Sequence, residues 1–184
     1  MDSLFDMSES DFKRYAPLAD RMRPQTLDDI VGQEEAIGRQ SFLYKMIERD
    51  TIPSLLLFGP PGCGKTTIAM VIAKMTTCVV IKLNATSSGT KEIREAAEKA
   101  KKELNYHGRR TIVFIDEIHR FNKSQQDLLL PYVENGTFIL IGATTENPYF
   151  EINKTLISRM YVFELMPLNN SDLEKLIDRI LKRY

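Results

Sequence analysis

Short apolar runs and amphipathic segments alternate along this chain. Five runs of five or six residues are rich in Leu, Ile, Val and Phe, as buried strands are, and polar or glycine-rich residues follow them. The runs are Ser54–Phe58, Val79–Leu83, Thr111–Ile115, Thr137–Gly142 and Tyr161–Leu165. Because helical patterns separate them, the sequence predicts an α/β fold with a five-stranded parallel sheet and helices on both faces.

The segments between these runs carry apolar residues spaced three and four apart, which is typical of helices packed on a sheet. After the first run, Ile68, Val71, Ile72 and Met75 share one face. The other predicted helices are Gln33–Arg49 (with Ile37, Phe42, Leu43, Met46 and Ile47 buried), Thr90–Leu104 (capped by Thr90), Lys123–Glu134 (Leu128, Leu129 and Val133 inward, Gln125, Gln126 and Asp127 on the polar side), Lys154–Ser158 and Asp172–Tyr184 (capped by Ser171). The predicted loops are Asn105–Arg110 and Asn147–Asn153, and Thr26 is predicted to cap the turn Leu27–Ile30.

The composition of the chain excludes some classes of protein but does not identify a function. The 184 residues are 43% hydrophobic and 27% charged, which predicts one globular domain, or one domain with part of another. Net charge is zero, so any contact with nucleic acid must come from a local patch. Two cysteines, Cys63 and Cys78, form no disulfide or zinc pattern, and no signal peptide or membrane span is evident. A bacterial cytoplasmic location is expected, with no membrane partner.

The first 16 residues are polar and acidic with isolated apolar side chains. They are predicted to form a flexible N-terminal tail, as chain termini often do. The alternative is a short binding motif, in which Leu4-Phe5 fills an apolar pocket on a partner.

The chemistry centres on the stretch SLLLFGPPGCGKTT, Ser54–Thr67. Strand, glycine-rich turn, Gly-Lys-Thr and helix follow in the order of a phosphate-binding loop, in which backbone N–H groups and the helix N-terminus surround an anion. Lys65 is expected to reach the β- and γ-phosphates of a nucleotide, and the Thr66 hydroxyl to bind Mg²⁺. The alternative is a strand–turn–helix without a ligand. The predicted nucleotide-binding residues are Gly59, Pro60, Pro61, Gly62, Cys63, Gly64, Lys65, Thr66 and Thr67.

A pair of carboxylates follows the third apolar run. The run delivers Asp116 to the carboxyl edge of the sheet, where it is predicted to hold Mg²⁺ together with Thr66. Glu117 is predicted to orient and deprotonate the attacking water. The alternative is two acids facing solvent at a strand end. The stretch DEIHR invites comparison with DExH helicases, but the chain is too short for their two domains. As a lone histidine at the start of a helix, His119 is interpreted as a packing or hydrogen-bonding residue and not as a catalyst.

With these residues placed, the chain resembles the AAA+ ATPases, and within them the replication-associated recombination protein A family, which includes the Werner-helicase-interacting ATPase of eukaryotes. The resemblance covers about residues 17–165. It rests on the stretches PLADRMRP, VGQ, PSLLLFGPPGCGKTT, FIDEIHRFNKSQQD and IGATTENPYFEIN…LISR.

The resemblance implies further roles. Arg23-Pro24 and Ile30-Val31-Gly32 match the segment that encloses adenine, and Asn84 matches the polar residue that restrains the catalytic glutamate. Thr145 aligns with the sensor-1 residue, with Thr144 as the second choice. Arg159 resembles the arginine finger that enters a neighbouring subunit's site. Taken alone, Arg159 is interpreted as a surface arginine that precedes a strand.

The resemblance also implies a domain plan. Residues 17–166 match the ATPase core, and residues 167–184 match the start of a helical lid that a complete member continues with a sensor-2 arginine and an oligomerisation region. The full-length form is expected to be a homotetramer, whereas this chain is expected to be mostly monomeric with weak ATPase activity.

Two functions of different classes stay open. The first is an ATP-hydrolysing motor acting on DNA at stalled or gapped replication forks, with Lys91, Arg94 and Lys123 as candidate DNA contacts. The second is a clamp-loader-like scaffold whose ATP gates binding to single-strand-binding protein or other replisome proteins. A small-molecule kinase is disfavoured by Glu117 and Arg159, because a kinase excludes water from its site.

Overall fold

A five-stranded parallel sheet forms the centre of the fold, as the sequence predicts. The structure is a computed structural model that describes residues 17–182. The predicted tail 1–16 with Leu4-Phe5 lies outside the described residues, as do the last two residues of the predicted final helix.

Helices connect the strands on both faces of this sheet. The strands are β1 (Leu55–Phe58), β2 (Val79–Asn84), β3 (Thr111–Asp116), β4 (Ile139–Thr144) and β5 (Tyr161–Glu164). They lie side by side in the order β2-β3-β4-β1-β5. The helices are α1 (Leu18–Arg21), α2 (Glu34–Ile37), α3 (Phe42–Glu48), α4 (Lys65–Lys74), α5 (Thr90–His107), α6 (Lys123–Glu134), α7 (Pro148–Glu151), α8 (Lys154–Ile157) and α9 (Asn170–Leu181). Two short 3₁₀ turns span Leu27–Asp29 and Ile118–Arg120.

The interior strand β1 is buried on both sides, which explains its uninterrupted apolar sequence. Leu55 and Leu57 pack on one face with Ile68 and Ile72 of α4. Leu56 points to the opposite face, into a second cluster built with α5, α6 and β3. Each face therefore buries alternate residues of the same strand.

The strand order creates a point where connections leave the sheet in opposite directions. From β1 the chain crosses to β2 at the far edge, and from β4 it crosses over β1 to β5. Ligands of such sheets bind outside the carboxyl ends of the strands near this point. Phe58 of β1 lies level with Thr144 of β4, so the residues that follow both strands meet there.

The predicted helix Gln33–Arg49 is wrong as one element, because it divides into α2 and α3. Gly38 ends α2 in an extended conformation, and the Ser41 hydroxyl then accepts a 3.1 Å hydrogen bond from Tyr44 N to cap α3. The break turns Phe42 outward, where it is 48% exposed and contacts the Tyr161 ring at 5.0 Å.

Several other predicted boundaries are corrected by local hydrogen bonds. The fourth strand begins at Ile139 because Thr137 is held in the preceding turn by Asn135, whose Oδ1 accepts from Thr137 N and Oγ1. Gly89, and not Thr90, caps α5, and its N–H donates to Glu92 Oε2 at 2.7 Å. The same helix continues into the predicted loop Asn105–Arg110 and ends at His107.

Corrections of the same kind apply near the end of the chain. Part of the predicted loop Asn147–Asn153 forms α7, with Asn147 accepting from Tyr149 N at 3.0 Å. Asn169, and not Ser171, caps α9 by accepting from Asp172 N at 3.0 Å, so the helix begins at Asn170. Asparagine caps compete well with serine for these positions, so residue type alone does not choose between them.

Candidate active site

The phosphate loop joins the end of β1 to the start of α4. Gly64 immediately precedes the helix with φ of 100°, a left-handed conformation that favours glycine over residues with a side chain. Buried Ile68, Val71 and Ile72 fix the helix against the sheet. Its N-terminus, with free N–H groups and the positive end of the helix dipole, is therefore held at the carboxyl edge of β1.

A cavity of about 390 Å³ opens beside this helix N-terminus. It brings together nine of the 18 residues that the sequence predicts as catalytic, nucleotide-binding or metal-binding. The cavity is lined by Pro61, Gly62, Gly64, Lys65, Thr66, Thr67, Asp116, Glu117 and Thr145. A volume near 400 Å³ lies within the range of small-molecule sites, about 300–1,000 Å³.

Lys65 is almost buried, with 8% of its surface exposed. Its Nζ donates hydrogen bonds to the carbonyl oxygens of Gly59 at 2.7 Å and Pro60 at 2.9 Å, and lies 3.8 Å from the Cys63 sulfur. The positive charge thus lies within the curve of the loop and also borders the cavity. Gly59, Pro60 and Cys63 contact the lysine and are not among the cavity-lining residues.

The two acids lie where the buried strand β3 ends. Asp116 is the last residue of β3, and its Oδ1 accepts a 3.1 Å hydrogen bond from Glu117 N. Glu117 adopts φ of 53°, which is strained for a residue with a side chain and recurs at functional sites. Both side chains line the same cavity as Lys65 and Thr66.

The two threonines at the end of β4 differ in their surroundings: Thr144 is its last residue and Thr145 follows it. Thr145 lines the cavity, whereas Thr144 is fully buried. Thr144 Oγ1 accepts from Glu146 N at 3.0 Å and lies 2.8 Å from Nδ1 of His119. The position of Thr145 agrees with its being preferred over Thr144 for a role at the nucleotide.

Asn84 ends β2 directly beside Asp116 of β3. Its side-chain oxygen accepts hydrogen bonds from Thr86 N at 2.9 Å and Thr86 Oγ1 at 2.7 Å, and the residue does not line the cavity. A role in restraining Glu117 therefore stays a prediction for Asn84.

The segment predicted to enclose adenine is tied to the phosphate loop by a residue that sequence analysis did not assign. Gln33 donates from Nε2 to the carbonyls of Cys63 at 3.2 Å and Met166 at 2.6 Å, and its Oε1 accepts from Met166 N at 2.9 Å. Next to it, Ile30 lines a smaller cavity of about 160 Å³. In the sequence, the signal that points to Gln33 is its place in the stretch VGQ. In the structure, both Gly32 and Gln33 adopt positive φ.

The same segment also holds the last helix. Arg179 of α9 donates to the Asp29 carbonyl and forms an ion pair with its carboxylate, while Thr26 N and Oγ1 each donate to Asp29 Oδ2 at 3.0 Å. Burial alone would raise the pKa of Asp29, but hydrogen bonds from Thr26 and Gln25, and the charge of Arg179, bring it below the ordinary value. The predicted adenine residues Arg23, Pro24, Ile30 and Val31 flank or adjoin this connection.

Arg159 lies between α8 and β5, and it does not line the cavity of its own chain. Its guanidinium contacts Glu134 Oε1 at 2.5 Å, the Thr155 carbonyl at 2.7 Å and Ser158 Oγ at 2.8 Å. Its side chain is 39% exposed. These contacts fit a residue presented on the surface, and a finger role stays a prediction.

A buried glutamine corrects another expectation. Gln126, predicted on the polar side of α6, is 1% exposed. Its Nε2 donates to the carbonyls of Phe121 at 2.9 Å and Glu151 at 3.2 Å, and its Oε1 accepts from Asn153 N at 2.7 Å. Gln126 thereby joins α6 to the loop between α7 and α8, the segment that precedes Arg159.

Comparison with known proteins agrees with this arrangement. Residues 55–168 match the family described as the ATPase family associated with various cellular activities (AAA). The chain is 48% identical over 177 residues to replication-associated recombination protein A of Escherichia coli K12, covering 96% of this chain and 39% of that protein. It is 48% identical over 170 residues to ATPase WRNIP1 of Dictyostelium discoideum, covering 92% of this chain and 19% of that protein.

A solved structure shares this fold. The RuvB Holliday junction branch migration motor of Thermotoga maritima superimposes with a TM-score of 0.69 and 30% identity, covering 86% of this chain and 53% of that one. The chain thus spans well under two thirds of the length of these relatives. Within residues 17–182, no helix combines the length and apolar composition needed to cross a membrane.

Proposed function

Because the chain belongs to the AAA family of ATPases, we propose that it binds ATP with Mg²⁺ in the cavity beside α4 and hydrolyses it to ADP and phosphate. One observation carries this proposal. A single cavity collects a lysine, two hydroxyls and two carboxylates, Lys65, Thr66, Thr145, Asp116 and Glu117, from three separate parts of the chain. Hydrolysis needs this combination: a cation and N–H groups for the phosphates, ligands for Mg²⁺, and a base for water.

The donor set fits a magnesium ion that shares its ligands with a substrate. Among the described residues, no group of three or more His, Cys, Asp or Glu side chains is arranged to hold a metal. Mg²⁺ in nucleotide sites needs only one or two protein ligands, because phosphate oxygens and water complete the shell. Thr66 and Asp116 would hold the ion, which would offset the charge of the phosphates when bound.

The remaining steps of binding and hydrolysis would be carried out by side chains of the protein. Lys65 would neutralise the β- and γ-phosphates, exchanging the carbonyls of Gly59 and Pro60 for phosphate oxygens. Glu117 would accept a proton from the attacking water, and Thr145 would hold that water or the γ-phosphate through its hydroxyl. Asn84, at the end of the neighbouring strand, would restrain Glu117 until the site is complete.

The adenine would lie against the segment Arg23–Val31, which Gln33 attaches to the phosphate loop. Arg159 would act in trans, entering the site of a neighbouring subunit to neutralise charge on the transferred phosphoryl group. Its exposure and its absence from the lining of its own cavity support this assignment. Turnover would then depend on assembly of a homo-oligomer, a tetramer in the full-length form.

We propose that this ATPase drives a DNA replication and recombination factor at stalled or gapped forks. Support comes from the similarity to replication-associated recombination protein A and from the structural similarity to a motor that acts on Holliday junctions. Single-strand-binding protein and other replisome proteins are the proposed partners. The matched portion is 39% of the bacterial relative, so DNA action is a property proposed for the whole assembly.

The test is ATP turnover with and without forked or gapped DNA, on this chain and on a longer form. E117Q should retain ATP binding and lose turnover, while E174Q, an exposed glutamate on α9, should behave as the unmodified protein. Stimulation by DNA supports the motor. Stimulation by a replication protein alone would instead favour the clamp-loader-like scaffold, and turnover by E117Q equal to that of the parent would reject the assignment of the base.

A further inference from the structure

A nearly buried histidine lies between the proposed base and the strand that carries Thr145. His119 belongs to the 3₁₀ turn Ile118–Arg120, and its side chain is 8% exposed. Its Nδ1 lies 2.8 Å from Thr144 Oγ1 and 3.4 Å from Glu117 Oε2. One ring nitrogen therefore faces both a buried hydroxyl and the carboxylate that would activate water.

The hydrogen bonds around Thr144 indicate which ring nitrogen carries the proton. Thr144 Oγ1 accepts from Glu146 N at 3.0 Å and lies 3.4 Å from the Glu146 carbonyl, to which it can donate. If His119 Nδ1 is protonated, the hydroxyl accepts from it and every partner is satisfied. If Nδ1 were bare, its lone pair would oppose the Glu117 carboxylate at 3.4 Å, which is unfavourable.

The backbone around His119 is held tightly against β4. Ile118 is fully buried, and it packs on Gly142 of that strand. A Cβ on Gly142 would lie 3.2 Å from Ile118 Cδ1 and 2.7 Å from Leu56 Cδ1, so any side chain at this position would force Leu56 or Ile118 to shift. The imidazole is thus fixed relative to β4 by packing as well as by its hydrogen bond to Thr144.

The geometry points to His119 as a positioning residue for hydrolysis, which rests on the proposed role of Glu117. Its Nδ1–H donates to the buried Thr144 hydroxyl at 2.8 Å, and the positive end of this N–H group, 3.4 Å from Glu117 Oε2, attracts the carboxylate into the orientation that attack by water requires. Glu117 has a side chain that is 33% exposed and a strained backbone, so the carboxylate has room to move when this donor is removed. The chain Thr144–His119–Glu117 also connects the base to the strand end that carries Thr145.

A kinetic test separates positioning from binding. His119 does not line the cavity, so H119A should lower kcat by about 10- to 100-fold, the range expected for a misplaced catalytic group, with ATP affinity changed less than twofold. H119N places an amide near the position of Nδ1 and should recover most of kcat. H119Q places its amide near Nε2 instead, so it should resemble H119A. Equal kcat in all three variants and the parent overturns the inference.

A second measurement does not depend on turnover. The chain has two histidines, so ¹⁵N–¹H NMR of histidine-labelled protein at about pH 8 reports His119 beside the exposed His107 as an internal reference. The expected result is a His119 imidazole protonated on Nδ1 and bare on Nε2, with resonances that shift in E117Q while those of His107 do not. A proton on Nε2 alone overturns the inference even where H119A is slow.

The two proposals fail in different ways. If E117Q retains turnover, Glu117 is not the base, and the positioning role falls with it. If E117Q abolishes turnover while H119A matches the parent, only the positioning role is rejected. If both proposed roles are correct, adding H119A to E117Q should cause no further loss of ATP turnover, because the histidine acts through the glutamate.

Discussion

The Lys65 ammonium donates a 2.7 Å hydrogen bond to the Gly59 carbonyl, so the lysine that we propose to bind the phosphates also closes the loop that carries it. In K65A this contact and the one to Pro60 are lost together with the charge that would meet the phosphates. Hydrogen bonds to charged groups contribute about 1.5–3 kcal/mol, so we expect ATP affinity to fall by about 10- to 100-fold.

Calorimetric titration with a non-hydrolysable ATP analogue measures the loss. Lys101 provides the matched control, because it lies on α5 outside the cavity lining and donates to Glu98 Oε1 at 2.9 Å on the exposed surface. K101A should bind the analogue as the parent does. Equal affinity in K65A and K101A would remove Lys65 from the phosphate site.

The hydrogen bonds of the Gln33 side chain predict that its removal lowers both the stability of the fold and the affinity for ATP. Q33A leaves the carbonyls of Cys63 and Met166 and the N–H of Met166 without their partner. We expect the free energy of unfolding to fall by about 1–3 kcal/mol. Q33E should cost at least as much at neutral pH, because its carboxylate would face two carbonyl oxygens. Urea denaturation measures both, with the exposed Q40A as the control.

A loss in Q33A no larger than in Q40A would show that the bridge to Met166 does not stabilise the fold. ATP binding gives a second readout for the same variants. Because Gln33 joins the proposed adenine segment to the phosphate loop, Q33A should also weaken ATP binding, whereas Q40A should not.

Features encoded by neighbouring residues could be predicted from the sequence. The strand β3 and its terminal Asp116 follow from one apolar run, and the phosphate loop follows from glycines beside Lys65. The predicted sheet and the acids at its carboxyl edge are confirmed in position. Each of these features depends on a stretch of about ten residues.

Features that depend on distant partners could not be predicted in this way. Gln33 bonds Met166, a residue 133 positions away, and Gln126 is buried because Glu151 and Asn153 satisfy its amide. On a helix, glutamine at such a position ordinarily predicts a solvent-facing side. The break at Gly38 was missed for a related reason: an isolated glycine costs a helix only about 1 kcal/mol, so tertiary packing decides whether the helix continues.

If Arg159 acts in trans, two variants that are inactive alone should restore each other's ATP turnover when they assemble together. R159A should bind ATP as the parent does and hydrolyse it at least about 1,000-fold more slowly, as arginine fingers contribute about 10³–10⁵ in kcat. In a mixture of R159A with K65A, some sites combine the intact phosphate loop of one variant with the intact arginine of the other. Partial recovery of turnover in the longer, assembling form is the expected result.

The control for this experiment is R109A, which removes an exposed arginine paired with Glu103 at 2.8 Å. It should hydrolyse ATP normally by itself. If mixtures of R159A and K65A never exceed the sum of the separate activities, although both fold and co-assemble, Arg159 does not act in trans.

The lowered pKa of Asp29 predicts how the free energy of unfolding changes with pH. Burial opposes its ionisation, but hydrogen bonds from Thr26 and Gln25 and the charge of Arg179 hold its folded-state pKa below the ordinary value. A carboxylate with a depressed pKa stabilises the fold at neutral pH, and this stabilisation is lost as the pH falls from about 4 through the lower folded-state pKa. D29N should therefore cost about 1 kcal/mol at pH 7, the magnitude of a helix cap.

Unfolding by urea at a series of pH values between about 7 and 2.5 measures this contribution. The difference between the parent and D29N should be constant down to about pH 5 and shrink towards zero below the ordinary aspartate pKa of about 3.9, because the parent then carries a protonated Asp29. D178N, on the same helix as Arg179, should show no such convergence. A parent–D29N difference that stays constant to pH 2.5 would mean that the Asp29 charge contributes nothing, and that α9 is held to the N-terminal segment by packing alone.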